Sequence, residues 1–345
     1  MGPRTHVVIL NWNGRRYVRD CLDSVFAQTH EEAKILVVDN GSTDGSAEFI
    51  RDAFPEAVLI ALPENLHFAR GTNAGVEAAL RDPGCEFVVT LNNDTRSDPE
   101  FLAGLVKAAQ EGRVGMVAAK LLFMDRPTIL NTTGICPTRD GSGVDRGWNQ
   151  RDEGQFDGET DVFAPTAGAA LYRRSLFDRV GLFDADFVAY YEDLDLAWRA
   201  RLAGWETRFA PRAVVYHKYS GSSSYQSAWK TYQGERNRIW NLVQNYPLQY
   251  LAEGIPWNGL RVLAALRRRL VPVRHPSPPG AAAGQGPTFA EFAAATVRAR
   301  LDAYAGLRRA FQKRRMRHAY RRVDNPTVGR WLRHYGVPIK AMPVN

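Results

Sequence analysis

The sequence predicts an α/β fold: a mostly parallel sheet with helices on both faces, followed by a basic helical region. Three observations lead there. Up to Leu91, short apolar runs alternate with helical stretches of about 10–15 residues, the pattern of strands joined by crossover helices. Each of the four apolar runs ends in polar residues. The charge also divides along the chain, with 24 Lys/Arg against 32 Asp/Glu through Tyr225 and 21 against 5 from Gln226 onward.

Taken in order, His6-Val7-Val8-Ile9-Leu10 reads as a buried strand. Arg16 to Phe26 reads as a helix with Tyr17, Cys21, Leu22 and Val25 on one side. Ile35-Leu36-Val37-Val38 is the second strand, followed by a polar turn and a helix through Phe54. Val58 to Leu62 is the third strand, Thr72 to Leu80 the next helix and Phe87 to Leu91 the fourth strand. In such sheets ligands sit beyond the carboxyl ends of the strands. Those ends carry Asn11-Trp12-Asn13, Asp39-Asn40-Gly41-Ser42, Asn65 and Asn92-Asn93-Asp94. Residues 125–160 are Gly- and Asp-rich with little periodicity and read as a long loop or irregular hairpin. Structure resumes at Val162 and runs to about His217. Two basic helical segments, at about 226–270 and 288–322, flank a Pro/Gly-rich linker at about 272–287. The expected division is a catalytic domain over 1–220 and a helical region over 221–345.

Composition bounds the function. The 345 residues are 45% hydrophobic and 24% charged, which excludes wholesale disorder, collagen and coiled coil. No run approaches the roughly 18–20 apolar residues of a membrane span, and no apolar leader opens the chain. Cys21, Cys85 and Cys136 are scattered and give neither a disulfide framework nor zinc spacing. A cytoplasmic protein is expected. Neither a dinucleotide G-x-G-x-x-G after the first strand nor a P-loop occurs, and no G-x-S-x-G elbow is present.

The chemistry then rests on carboxylates and amides at strand ends. Asp39 can accept from the imide N–H of uracil or thymine, and the Asn40-to-Ser46 segment equally reads as a turn with Asp44 or Ser46 capping a helix. Asn92-Asn93-Asp94 offers hard oxygen ligands to Mg²⁺ or Mn²⁺, and equally an Asx-turn before Asp98-Pro99. Glu192-Asp193, at a helix start after Tyr190-Tyr191, suits a carboxylate general base, while N-terminal acids also favour the helix dipole, the reading preferred for Asp195. His217 is either a metal ligand or a structural histidine.

Seven segments in order carry a resemblance. They are Val8-Ile9-Leu10-Asn11-Trp12-Asn13-Gly14, Val37-Val38-Asp39-Asn40-Gly41-Ser42-Thr43-Asp44-Gly45-Ser46, Glu64 to Gly75, Leu91-Asn92-Asn93-Asp94-Thr95, Gly168 to Arg174, Tyr191-Glu192-Asp193 and Pro211 to Lys218. Over about residues 5–250 the chain resembles glycosyltransferase family 2 enzymes of the GT-A fold, most closely the rhamnosyltransferase-like bacterial members. The resemblance implies an inverting transferase that uses a nucleotide-diphosphate sugar and a divalent metal, Mn²⁺ or Mg²⁺. It places the nucleotide sugar against Leu10, Asn11, Asn13, Asp39, Asn65, Arg70, Asn73, Asn92, Asn93 and Asp94. It makes Asp94, His217 and Asn92 the metal ligands, Asn92 departing from the family's D-x-D as a neutral and weaker one. It makes Asp193 the general base, with Glu192 beside it. Trp148, Tyr191 and Arg236 are candidates for the sugar or acceptor; Trp148 equally reads as a loop anchor and Arg236 as an ordinary helix-surface arginine. The likeness leans towards dTDP-rhamnose as donor and a saccharide or polyprenyl-diphosphate-linked saccharide as acceptor, in cell-wall, O-antigen or exopolysaccharide assembly.

Two rivals remain at this level: a sugar nucleotidyltransferase, whose Gly-rich Arg-containing loop is missing after the first strand, and a catalytically silent nucleotide-sugar or nucleic-acid binding module. The basic back half reads as a solvated helical cap or as a peripheral contact with the anionic inner face of the plasma membrane, with Trp229, Tyr232, Trp240, Tyr246 and Trp257 at the lipid boundary. Nucleic acid has no accompanying motif.

Overall fold

A computed structural model of the protein describes residues 4–110, 112–219, 227–254 and 287–337. The chain forms two units, one of Met1–Ile135 with Asp145–Ser222 and one of Cys136–Val144 with Ser223–Asn345.

In the first unit, the four predicted strands form as β1 (Thr5–Asn11), β2 (Ala33–Asn40), β3 (Val58–Leu62) and β4 (Phe87–Asn92). They lie parallel, in the order β3-β2-β1-β4. The register sets Asn11 beside Asp39 and Leu10 beside Asn92, so the polar strand ends line one edge. Helix α1 (Val18–Phe26) buries Val18, Cys21, Leu22 and Val25, the i, i+3, i+4, i+7 stripe of an amphipathic helix. Tyr17 falls just outside, at its N-cap. Helix α2 spans Ser46–Ala53.

Helix α3 (His67–Leu80) starts five residues before the expected Thr72 and so takes in Arg70. It can lie close on the sheet because Gly75 faces Val8; a Cβ there would come within 2.3 Å of Val8 Cγ1. Buried Val7, Ile9, Val37, Val89 and Leu171 fill one face of the sheet with α1 and α4 (Phe101–Ala108).

The second half of the sheet adds antiparallel strands to the expected parallel set. The run Val114–Phe123, wholly buried, forms β6 after a short β5 (Thr95–Ser97), and β7 (Arg126–Thr132) returns along it antiparallel. The 125–160 stretch is thus partly a hairpin, followed by the small pair β8 (Ile135–Pro137) and β9 (Gly143–Asp145). No helix carries the chain back from β6, so β10 (Ala169–Arg173) enters from the opposite end, antiparallel to both β4 and β6. Helices α5 (Arg174–Val180) and α6 (Glu192–Leu202) precede β11 (Glu206–His217), which is parallel to β6 and antiparallel to β5. The sheet is therefore mixed.

Beyond the 136–144 segment with most of the β8–β9 pair, the second unit is mostly helical where described. Helix α7 (Ala228–Asn245) ends before Pro247, as a helix must where the next N–H is missing. It is polar yet buried, and its side chains hold the 138–142 turn. Arg238 donates to Asp140 O (3.1 Å), Asn241 to Gly141 O (2.9 Å), and the Tyr246 hydroxyl further along to Thr138 O (2.9 Å). Helix α8 (Phe289–Ala305) opens with a Thr288/Glu291 capping box, and α9 (Leu307–His318) follows after a break at Gly306. Helix α10 spans Asn325–His334. The linker at 272–287 and Trp257 lie almost wholly outside the described residues.

Three of the aromatics expected at a lipid boundary instead build this packing. Tyr246 is fully buried, the Trp240 indole donates to Ala303 O (3.0 Å) and the Tyr232 hydroxyl to Asp302 (2.7 Å).

Candidate active site

The polar edge of the first unit is organised by one asparagine. Asn11 donates to Asp39 Oδ1 (2.9 Å) and Ser46 Oγ (2.9 Å), and accepts from Asn93 Nδ2 (2.8 Å). It has no exposed surface. Gly14 completes the junction, because a Cβ there would fall 2.0 Å from Asn93 Nδ2. The side chains of Asn11 and Asn93, expected at the nucleotide, join strand ends and hold the Asp39 carboxylate and the 92–94 turn in place.

Asp39 also accepts from the Ser42 N–H (3.1 Å), which fixes its second oxygen at the start of the turn. Asn13 sits in the left-handed region (φ 47°) and accepts from the Thr43 N–H (2.8 Å), tying the loops after β1 and β2 together. Asp44 accepts from Ser46 N–H (3.1 Å) and from Arg15 N–H (2.9 Å), so that part of the motif is a turn. Asn65 accepts from Asn40 (2.9 Å) and from the His67 N–H (2.8 Å), shaping the entry to α3. Leu10 is half-buried against Gly71. Arg70, in the first turn of α3, is exposed, and no hydrogen bond or ion pair among the described residues engages it.

Beyond β4, Asp94 faces His217 at the end of β11, with Asp94 Oδ1 3.3 Å from Nε2. The other ring nitrogen lies 2.8 Å from Asn131 Oδ1 on β7. A carbonyl oxygen there selects the Nδ1–H tautomer, so a lone pair on Nε2 points at the carboxylate. Two acceptors at that separation need a proton or a cation between them. Among the described residues no group of three His, Cys, Asp or Glu could hold a metal. The chain thus offers a pair of protein donors, and the pair fits a hard divalent ion whose remaining ligands come from phosphate and water. Asn92 is half-buried, its backbone N–H donating to Gly168 O (2.9 Å).

Asp193, in the first turn of α6, accepts from Ala167 N–H (3.2 Å) and from Leu194 N–H (2.7 Å). Because Gly168 bonds to Asn92, this places the carboxylate beside the 92–94 turn. Burial raises the Asp193 pKa above the usual carboxylate range, against the lowering effect of the backbone donors. Glu192 has different surroundings. Its side chain is buried with Oε2 unpartnered, and burial followed by the Asp193 charge drives its pKa well up.

The backbone that presents Asp193 is strained. Val188, Tyr190 and Tyr191 all have positive φ (66°, 68° and 72°), at a cost of about 1–3 kcal/mol each. The surroundings over-determine them. Asn73 clamps the Phe183 backbone from both sides (2.8 and 3.1 Å), and Val188 O accepts from Ala69 N–H (2.9 Å). Arg199, paired with buried Asp195 (2.8 Å), donates to the carbonyls of Val180, Gly181 and Leu182. Asn73, expected at the nucleotide, thus clamps the turn before Asp193. Tyr191 is the αL N-cap of α6 and is half-buried.

The loop after β9 is anchored too. Lys120 reaches Asp152 (3.1 Å) and Asp157 (2.7 Å), and Trp148 packs edge-on to Phe123 and Tyr219 (5.1 and 4.9 Å between centroids). Trp148 is thus a loop anchor. Arg236 belongs to the second unit, where it donates to Asn237 (3.0 Å) and Gln233 (2.6 Å) and lies over the Trp240 ring.

One residue escaped sequence reasoning. Burial pushes the Asp145 carboxyl up to about 7; the Asp193 charge raises it further, while the Thr132 hydroxyl and His217 oppose. It brings a third carboxyl to the Asp193 and His217 side of the first unit. No periodicity marks it; the only signal was its place in the Gly-rich stretch before Arg146-Gly147-Trp148.

A mixed sheet whose strand ends gather acids, amides and a histidine next to a strained helix start is the fold of the GT-A glycosyltransferases. The chain belongs to glycosyl transferase family 2, whose profile it matches over residues 6–181. It is 26% identical over 235 residues to N-acetylglucosaminyl-diphospho-decaprenol L-rhamnosyltransferase of Mycobacterium tuberculosis (strain ATCC 25618 / H37Rv), covering 63% of this chain and 76% of that one. Among solved structures it is similar to the mannosyltransferase PcManGT from Pyrobaculum calidifontis in complex with GDP-Man and Mn²⁺ (TM-score 0.51, 19% identity, 93% of this chain and 86% of that one). It is likewise similar to S. aureus TarS in complex with UDP (TM-score 0.51, 18% identity, 78% and 77%). The protein is a glycosyltransferase, which removes the nucleotidyltransferase and silent-module rivals.

Proposed function

We propose that the protein transfers a sugar, with rhamnose from dTDP-rhamnose the favoured donor, to a saccharide or polyprenyl-diphosphate-linked saccharide in cell-envelope polysaccharide assembly on the cytoplasmic side. The observation that carries the reading is the Asp94–His217 pair backed by Asn131, close to a base-poised Asp193. The M. tuberculosis relative, a rhamnosyltransferase by name, supports the donor and the lipid-linked acceptor. The Mn²⁺ in the mannosyltransferase complex supports the metal.

In this reading Asp39 accepts from the base and Arg70 faces the diphosphate. Asp94 and His217 hold the divalent ion, with Asn92 a weaker neutral candidate. When bound, the ion neutralises charge on the leaving diphosphate. Asp193 takes the proton from the acceptor hydroxyl, which attacks the anomeric carbon opposite the diphosphate, so configuration inverts in one displacement. A double displacement needs a carboxylate nucleophile against the other sugar face, and no residue of the site is assigned that role.

A thermal-shift panel of nucleoside diphosphates and sugar nucleotides with Mn²⁺, Mg²⁺ or EDTA tests the reading. Ligand that binds the folded state raises the melting temperature with concentration over affinity. The expected result is a shift with dTDP and dTDP-rhamnose that EDTA removes. A shift only with UDP or GDP species overturns the donor, and no shift with any nucleotide overturns the proposal.

A further inference from the structure

We propose that the outer face of α8 and α9 docks the C-terminal unit onto an anionic lipid surface, independently of which sugar the site transfers. The sequence places Leu301, Tyr304, Leu307 and Phe311 on one stripe. In a helical bundle such a stripe is normally the buried one. Here the buried positions of α8 are Thr296, Ala299 and Ala303, and the stripe points the other way. Val297, Leu301 and Tyr304 are 58%, 63% and 55% exposed, and on α9 Phe311 and Met316 are 40% and 63% exposed. Single exposed apolar side chains are ordinary, but Val297, Leu301, Tyr304 and Phe311, spaced i, i+4, i+7 and i+14, make a row of four along two consecutive helices that marks an interaction surface.

Charge identifies the partner. Arg298, Arg308, Arg309 and Arg315 are exposed along the same two helices, and α9 contains no acidic residue. Of the two acids of α8, Glu291 closes the capping box at its first turn, and Asp302 accepts from the Tyr232 hydroxyl and pairs with Arg298 (3.8 Å), which leaves Arg308, Arg309 and Arg315 to carry the charge of the face. An apolar row with aromatic members, bordered by long cationic side chains, matches the headgroup boundary of an anionic leaflet. The apolar groups enter the acyl edge, and the arginine stems lie along it with their heads at the phosphates. An acidic protein would complement the arginines but leave Leu301 and Tyr304 without a counterpart.

The test is flotation of the full chain with phosphatidylcholine vesicles, with and without roughly one third phosphatidylglycerol, in about 0.1 M salt. Binding is expected only to the phosphatidylglycerol vesicles. Each basic residue near the surface contributes about fivefold to partitioning, so Arg308→Glu with Arg315→Glu should weaken binding by about 25-fold or more. Val297→Asp with Leu301→Asp should weaken it by at least about tenfold. Both pairs sit on exposed positions, so the melting temperature and any nucleotide-induced shift should stay as in the wild type, which separates failure here from failure of the donor reading. Equal binding to neutral vesicles, no binding to either, or binding insensitive to both pairs overturns the proposal. So does a lipid-free dimer in sedimentation velocity that Leu301→Asp dissociates, because the face then belongs to a second copy.

Discussion

Asp193→Asn is expected to lower glycosyl transfer by about 10³-fold, within the range of roughly 10²–10⁴ that a positioned general base supplies. Asn keeps the size of the side chain, and its one oxygen can still accept from one of the Ala167 and Leu194 N–H groups, which bond to different oxygens of Asp193. What it loses is the capacity to take a proton. Binding of the donor nucleotide, which the account assigns to Asp39, Arg70 and the metal pair, should be unchanged in calorimetry. The pH dependence follows from the raised pKa of Asp193. The base works only when ionised, so wild-type kcat/KM should climb with pH, with its midpoint above that of an ordinary aspartate.

Stability runs the other way. A carboxyl whose folded-state pKa is raised holds its proton more tightly in the folded state. Its contribution is fully present below the unfolded value and is lost as pH rises through the folded one. Above the raised pKa of Asp193 the wild type therefore carries a buried charge that Asn removes. Asp193→Asn should melt a few degrees higher there, about 2–4 °C per kcal/mol for a unit of this size, with the difference vanishing in acid. Wild-type turnover in the variant, or a variant that loses nucleotide binding as well, would contradict the role of Asp193.

Asp94→Asn is expected to weaken Mn²⁺ binding in the presence of nucleotide by at least about 100-fold, because it removes the charged member of a two-residue donor set. Asn131→Ala is the sharper variant. Asn131 cannot reach the ion through His217, yet it fixes the tautomer that turns the Nε2 lone pair towards Asp94. Loss of such an outer partner typically costs about 10–100-fold in metal affinity. A Mn²⁺ titration of the nucleotide-induced thermal shift reads both. Metal affinity unchanged in Asn131→Ala and Asp94→Asn would mean that the diphosphate is held by cations such as Arg70 alone.

The parallel half of the sheet was legible because its strands are pure apolar runs closed by polar residues, and α1 because Cys21, Leu22 and Val25 repeat at helical spacing. The second half was not. Val114–Phe123 is apolar without alternation, and strand direction depends on how the chain returns to the sheet, which local pattern does not encode. At the site, the acids read most clearly, because a carboxylate at a strand end has few structural uses. The amides misled. Asn11, Asn73 and Asn93 lie in the motifs that carry the resemblance, but their donors and acceptors are satisfied by Asp39, by Phe183 and by each other. A motif marks which segments meet, not which side chains face the ligand. Glu192 and Asp193 show the same limit, since one turn of helix sends adjacent carboxyls to different surroundings.

The most direct test of single-displacement transfer is the anomeric configuration of the new glycosidic bond, read by proton NMR on product formed from a donor of known configuration. The account predicts inversion relative to the donor, with Asp193 the only base required. Retention of configuration would contradict it, because the sugar would then have passed through a second nucleophile that the account does not contain.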